Sequence, residues 1–285
     1  MLVAIIESII KDSASKRTQI GSGFWCDQTM EKVFFFHNGK AGGTSIKKVL
    51  DSLFPRQERC PLIEIDEIDH VNLKGKYKRF RGYAYYCGHY GYDVHEAVVD
   101  GHISVTNFRH PVDRLISTYN YFNYAVNLPA KPTRPDHFYH VRLARSISFE
   151  EYISCSDRRV EIYTRDFHFR QLTYSPWSLE LRKSLDEAIA FIDRMPWYYV
   201  CEYPALSTTW FRKVFNIPIN EMPRENQTPK VTDSQLSSAN ISESTRSVIC
   251  ERNRLDLELY EYAVKKLLMN REKMNLVTSE TVESS

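Results

Sequence analysis

The chain has 285 residues, 42% hydrophobic and 26% charged, a composition that excludes a disordered, collagenous or rod-like protein and is large enough to bury a sizeable core. Lys and Arg total 38 against 36 Asp and Glu, a formal charge of +2, so the strong basic excess of a nucleic-acid binder is missing. No apolar run reaches the roughly 18 residues of a transmembrane helix, and the opening MLVAIIESIIKD is interrupted by Glu7 and lacks the basic start of a signal peptide.

Residues 1–30 read as an N-terminal extension packed on the domain, with a Gly-Ser-Gly turn at 21–23. EKVFFF is a short apolar run of strand type. HNGKAGG follows, and then TSIKKVLDSLF, where Ile46, Val49, Leu50 and Leu53 recur at helical spacing. A polar stretch carries the basic run Lys74, Lys76, Lys78, Arg79 and Arg81, which reads either as a solvated face or as an attractor of anionic glycans. YAYYC at 83–87 predicts a second strand leading into GHYGYD, and ISVTNF at 103–108 a third, broken by Arg109-His110-Pro111. A helix is expected from Val112, with Leu115, Ile116, Tyr119 and Phe122 on one face, ending in the Pro-rich loop 127–136. SFEE at 148–151 and SLDE at 184–187 are capping boxes, each a Ser followed three residues later by Glu. WYYVC at 197–201 predicts a fourth strand, 216–238 a Pro-containing loop, and 243–271 one long amphipathic helix.

Strands alternating with helices predict an α/β fold, a single domain over 31–272 with a central, mostly parallel sheet flanked by helices. A Ser/Glu/Thr-rich tail over 273–285 is expected to be flexible. The six cysteines lie far apart with no C-x-x-C pair. This excludes a zinc ribbon and predicts free thiols in a reducing cytoplasm.

The segment from 33 to 53 is a strand, a Gly-rich loop and a helix, the arrangement that binds anions. First-turn N–H groups lack intrahelical acceptors and the helix dipole adds positive potential. Gly42 and Gly43 allow close backbone approach, Thr44 and Ser45 add hydroxyls, and Lys40 adds a charge. A Walker A loop places Lys after its second glycine; here Lys40 precedes the pair. Asp100 follows three apolar residues as a Walker B acid does, a pattern common by chance. Arg109 at a strand end and Ser117 in the following helix can clamp a second phosphate; the alternative is an ion pair of Arg109 with Asp113.

Taken together, FFFHNGKAGGTSIKKVL and NFRHPVDRLISTYNYF resemble the paired 5′-phosphosulfate and 3′-phosphate segments of the carbohydrate sulfotransferases, closest to the heparan sulfate 2-O- and 6-O-sulfotransferase branch. Weaker matches are GHYGY at 88–92, FRQL at 169–172, VCEY at 200–203, ENQTP at 225–229 and DLELYEYA at 256–263. The resemblance implies a P-loop-like sulfotransferase fold. It also implies 3′-phosphoadenosine-5′-phosphosulfate (PAPS) as sulfuryl donor, with 3′-phosphoadenosine 5′-phosphate (PAP) as product and no metal. Lys40, Ala41, Gly42, Gly43, Thr44 and Ser45 would hold the 5′-phosphosulfate, and Arg109 and Ser117 the 3′-phosphate. Lys40 would stabilise the leaving group, and His89 in Gly-His-Tyr-Gly would be the general base. The partner would be a carbohydrate or glycoconjugate hydroxyl, with no nucleic acid and no membrane span; Tyr90 and Tyr92 would either stack on sugar rings or pack in the core. Gly39 stands where the family has Pro, and His110 where it has an acidic residue. The chain therefore reads as a soluble, cytoplasmic relative whose acceptor and oligomeric state are open. The rival readings are a nucleotide-dependent kinase and a non-catalytic nucleotide- or glycan-binding protein.

Overall fold

The computed structural model describes residues 31–63, 77–127, 138–223 and 235–280, the last nine as backbone only. The N-terminal extension with Cys26, the Pro-rich loop, Lys74 and Lys76 of the basic run, the match at 225–229 and residues 281–285 lie outside the described residues.

Among the described residues four parallel strands form the centre: β1 (Val33–Phe36), β2 (Tyr85–Gly88), β3 (Ile103–Phe108) and β4 (Tyr198–Val200), in the order β2-β1-β3-β4. Every residue of β1 is fully buried. An apolar run without alternation is what a strand covered on both faces requires, and each such Phe contributes about 1.5–3 kcal/mol of burial. Crossovers supply the cover: α1 (Gly43–Leu53) after β1, α2 (Tyr92–Val98) after β2 and α3 (Pro111–Tyr124) after β3. α1 turns Ile46, Val49 and Leu50 inward. α3 starts with Pro at its first position and takes His110 as its cap, the Nδ1 accepting from Val112 N at 3.3 Å. His110 is thus the turn residue its place before Pro111 suggests.

Between β3 and β4 the chain adds α4 (Tyr139–Ala144), α5 (Phe149–Ser154), α6 (Arg158–Thr164), α7 (Phe167–Thr173) and α8 (Leu185–Asp193). Both capping boxes form, at Ser148 with Glu151 and at Ser184 with Glu187. After β4 come α9 (Pro204–Phe215), α10 (Glu243–Arg252) and α11 (Arg254–Glu280).

The expected single helix over 243–271 is therefore two helices. The break is made from outside. Asn253 Oδ1 accepts from Asp166 N at 3.0 Å while its Nδ2 donates to Thr164 O at 2.9 Å. Asp166 in turn accepts from Leu255 N and Asp256 N at 3.0 and 3.1 Å, capping α11. Asp256 repays the favour across the contact, accepting from His168 N at 3.3 Å and Phe169 N at 2.7 Å at the start of α7. Two helix N-termini thus exchange caps, each worth about 1 kcal/mol, and the buried Arg114 guanidinium stands 3.9 Å from Asp256. α11 runs on to Glu280, through most of the segment read as a tail. Among the described residues no helix is long and apolar enough to cross a membrane.

Candidate active site

In a parallel sheet of order 2-1-3-4 the chain leaves β1 toward one side and returns past it to β3, which opens a crevice at the carboxyl ends of those strands. The loop after β1, the residue after β2 and the residue after β3 all meet there. They are the residues the sequence singles out.

The β1 loop is held by two buried amides. Asn107 on β3 is fully buried. Its Oδ1 accepts from Asn38 N at 2.8 Å, and its Nδ2 donates to Asn38 O at 2.9 Å and Ala41 O at 2.7 Å. Asn38 Nδ2 donates to Asn107 O at 3.2 Å. This clamp shapes a loop with two left-handed residues, Lys40 (φ 63°) and Gly42 (φ 76°). Lys40 is not glycine, so its backbone holds strain of the kind that persists only where neighbours enforce it. Gly42 is the N-cap of α1 and brings no side-chain acceptor to the first turn, where Gly43, Thr44 and Ser45 stand. A loop with left-handed residues running into a helix start that no side chain caps is an arrangement able to hold an anion.

Gly43 is required on steric grounds. A β-carbon there would stand 2.0 Å from His37 Cδ2. The His37 ring cannot swing aside, because it lies parallel to Phe35 at 5.4 Å and against the His89 ring at 4.6 Å. Gly43→Ala is expected to cost about 1–3 kcal/mol of stability by overpacking, read as a fall in Tm, because His37 and the loop must shift together.

Arg109 follows β3 and donates from its NH1 to Lys40 O at 3.0 Å. The guanidinium thus joins the loop after β1 rather than pairing with Asp113. The Lys40 ammonium stands 4.1 Å from the centre of the Tyr121 ring, a cation–π contact. Burial, and then the positive Arg109, lowers Lys40 to about 8. Ser117 is half-buried on α3, one turn before Tyr121 and therefore on the same helix face.

His89 follows β2. Its Nδ1 lies 2.7 Å from His37 O. A carbonyl only accepts, so Nδ1 carries the proton and Nε2 keeps its lone pair. The ring also packs on Gly39, where a β-carbon would meet His89 Cε1 at 3.4 Å. His89 is exposed to solvent while its ring lies against His37 and Gly39. Burial lowers its pKa, the bond to the His37 carbonyl raises it in part, and Lys40 lowers it again. His37 is held well below the usual imidazole value by burial, then by His89, Lys47 and Lys40, so it is neutral packing at neutral pH.

The structure decides several readings that the sequence leaves open. Asp100 is exposed, precedes β3 and pairs with Lys32 at 3.1 Å; it sits at the opposite end of the strand from the loop and cannot act as a Walker B acid. Tyr90 is core, 2% exposed, its hydroxyl accepting from Ile63 N at 2.8 Å. Tyr92 packs on Phe191 and beneath the Lys183 ammonium. Arg81 donates to Ala97 O at 2.7 Å, so this part of the basic run ties down α2. Cys60, Cys87, Cys155, Cys201 and Cys250 are free thiols, as expected. The sequence reading missed Asn38, Asn107, Tyr121 and Gln171, which touch the site through the fold. An Asn two residues before Arg109, near the buried end of a strand, is the one available signal, since a buried amide demands partners.

No family model matches the chain, and no curated protein matches it either; the resemblance rests on the motif residues.

Proposed function

We propose that this chain is a PAPS-dependent sulfotransferase that moves a sulfuryl group to a hydroxyl of a carbohydrate or glycoconjugate, on a P-loop-like fold. The observation that carries the reading is the bracketing of one loop. Arg109 bonds the Lys40 carbonyl and His89 bonds the His37 carbonyl, so two cations and a neutral imidazole surround an anion cradle. These residues fit the donor. The cradle and Lys40 match a 5′-phosphosulfate, and Arg109 with Ser117 matches a second, 3′-phosphate group, which separates PAPS from ATP.

The donor supplies an activated sulfur whose bond to the 5′-phosphate oxygen breaks as the acceptor oxygen bonds to it. His89 Nε2 takes the acceptor hydroxyl proton, a role worth roughly 10²–10⁴-fold. Lys40 neutralises charge growing on the phosphate oxygen that departs with PAP, and the α1 N-terminus adds fixed positive potential. Arg109 holds the nucleotide end and, through the Lys40 carbonyl, the shape of the loop. Positioning and electrostatics do most of the work, as in phosphoryl transfer.

Calorimetric titration with PAP, against ATP plus Mg²⁺, tests the reading on wild type and Arg109→Ala. Micromolar PAP binding without metal is expected, with at least a tenfold loss in the variant, since a charge-assisted bond contributes about 1.5–3 kcal/mol. A folded protein that ignores PAP and binds ATP with Mg²⁺ would move the assignment to a kinase. Tight PAP binding without transfer to any acceptor would point to a non-catalytic binding protein.

A further inference from the structure

Gln171 lies on α7, far from the phosphate cradle in sequence, and is fully buried. Its Nε2 donates to His37 O at 3.3 Å and to Tyr90 O at 3.0 Å. Both amide hydrogens are engaged, and the reverse orientation of the amide would press its oxygen against two carbonyl oxygens, so the acceptors fix it. The two carbonyls have a common feature. His37 follows β1 and its carbonyl is the acceptor of the His89 ring; Tyr90 is the residue after His89. One side chain therefore ties the backbone just before the Lys40 loop to the backbone that carries the imidazole.

We propose that Gln171 is a positioning residue: by fixing the His37 and Tyr90 carbonyls it sets the tautomer of His89 and the span from its Nε2 to the Lys40 loop. The catalytic part of this role rests on the sulfotransferase reading; the tautomer part does not. Gln171 touches neither the cradle nor Arg109. It acts through the His37 carbonyl, which receives the His89 proton at 2.7 Å. When that carbonyl loses its second donor and its orientation relaxes, the imidazole is free to turn. The titratable and charged groups that act on His89 are His37, just after β1, and Lys40, in the loop. Neither contacts Gln171 through its side chain in the described hydrogen bonds, so exchanging the amide for an apolar group leaves the surrounding charges in place.

The test is a long-range proton–nitrogen correlation spectrum of protein labelled with ¹⁵N-histidine, recorded at a pH where His89 is neutral, its signals assigned by their loss in His89→Ala. Wild type is expected to show Nδ1 protonated and Nε2 bare. Gln171→Met, which keeps the length and bulk of the side chain, is expected to give a mixture of the two tautomers, with PAP affinity within threefold of wild type. Transfer from PAPS is expected to fall on the order of 10²-fold, the scale of a small misplacement of a reacting group. A merely structural role would weaken PAP binding and transfer together and leave the tautomer unchanged. A wild-type His89 protonated at Nε2, or an unaltered tautomer in a folded Gln171→Met protein, would overturn the assignment. The wild-type spectrum alone can overturn it should the variant not fold. Absence of PAP binding in wild type would remove the sulfotransferase reading and leave the spectrum to decide the role of Gln171.

Discussion

Replacing Lys40 with methionine is expected to lower the transfer rate by about 10²–10³-fold, the range found when one preorganised stabiliser of developing charge is removed. The methionine keeps the length of the stem and its packing on Tyr121, so the loop clamp of Asn38 and Asn107 is left intact. PAP affinity is expected to fall less than the rate, because Arg109 and the α1 N-terminus still meet the phosphates. The pH dependence carries a second signature. Burial and Arg109 hold Lys40 near 8. Below that pH the ammonium is charged and stabilises the leaving group; as pH rises through about 8 it loses its proton and the rate falls. Methionine has no such titration, so the alkaline limb of the profile is expected to vanish along with the rate. Release of PAP from PAPS, followed with a screened glycan acceptor between pH 5 and 10, measures both. A Lys40→Met protein with wild-type turnover would remove Lys40 from the chemistry.

The second large effect is expected at His89. His89→Ala takes away the proton acceptor and should cost roughly 10²–10⁴-fold in turnover, while PAP binding stays within a few fold, since His89 contacts the loop backbone and not its cradle. A base must be neutral to act. Burial first, and Lys40 after it, hold His89 below the ordinary imidazole value of 6.5, so the acid limb of the wild-type profile should lie below that value. With Lys40 setting the other side, the wild-type profile is a bell. Loss of the acid limb in His89→Ala, with retained PAP affinity by calorimetry, is the expected result. An unchanged limb in the variant would assign the titration to another group and end the base role.

Much of this site was legible in the chain. VFFF reads as a buried strand because an all-apolar run has nowhere else to go, and Gly42-Gly43 after it reads as a loop because of what backbone near an anion needs. ISVTNF, Pro111 and both Ser-to-Glu caps are local signals with local causes, and each is found where expected. The features that escaped are non-local. Asn107 reaches its loop partner across 69 residues of sequence and Gln171 reaches His37 across 134; in the sequence each is one polar residue among several in its element. The break at Asn253 escaped for the same reason. Helical periodicity runs through it, and the interruption comes from Thr164 and Asp166, 89 and 87 residues away. Tyr90 follows this pattern too, its hydroxyl captured by Ile63 N from a distant segment.

The exchange of caps between α7 and α11 has a consequence for how the molecule opens. Asp256 belongs to α11 yet closes the first turn of α7, and Asp166, at the head of α7, closes the first turn of α11. Neither helix can fray at its start without stripping a buried carboxylate from the other. The two form one cooperative unit, whose amide protons exchange through a shared opening instead of two independent ones. Gln171 sits inside that unit. His89 therefore draws rigidity from the C-terminal helix through Gln171 and the His37 carbonyl, and loosening that helix is expected to disturb the imidazole before the loop of Lys40.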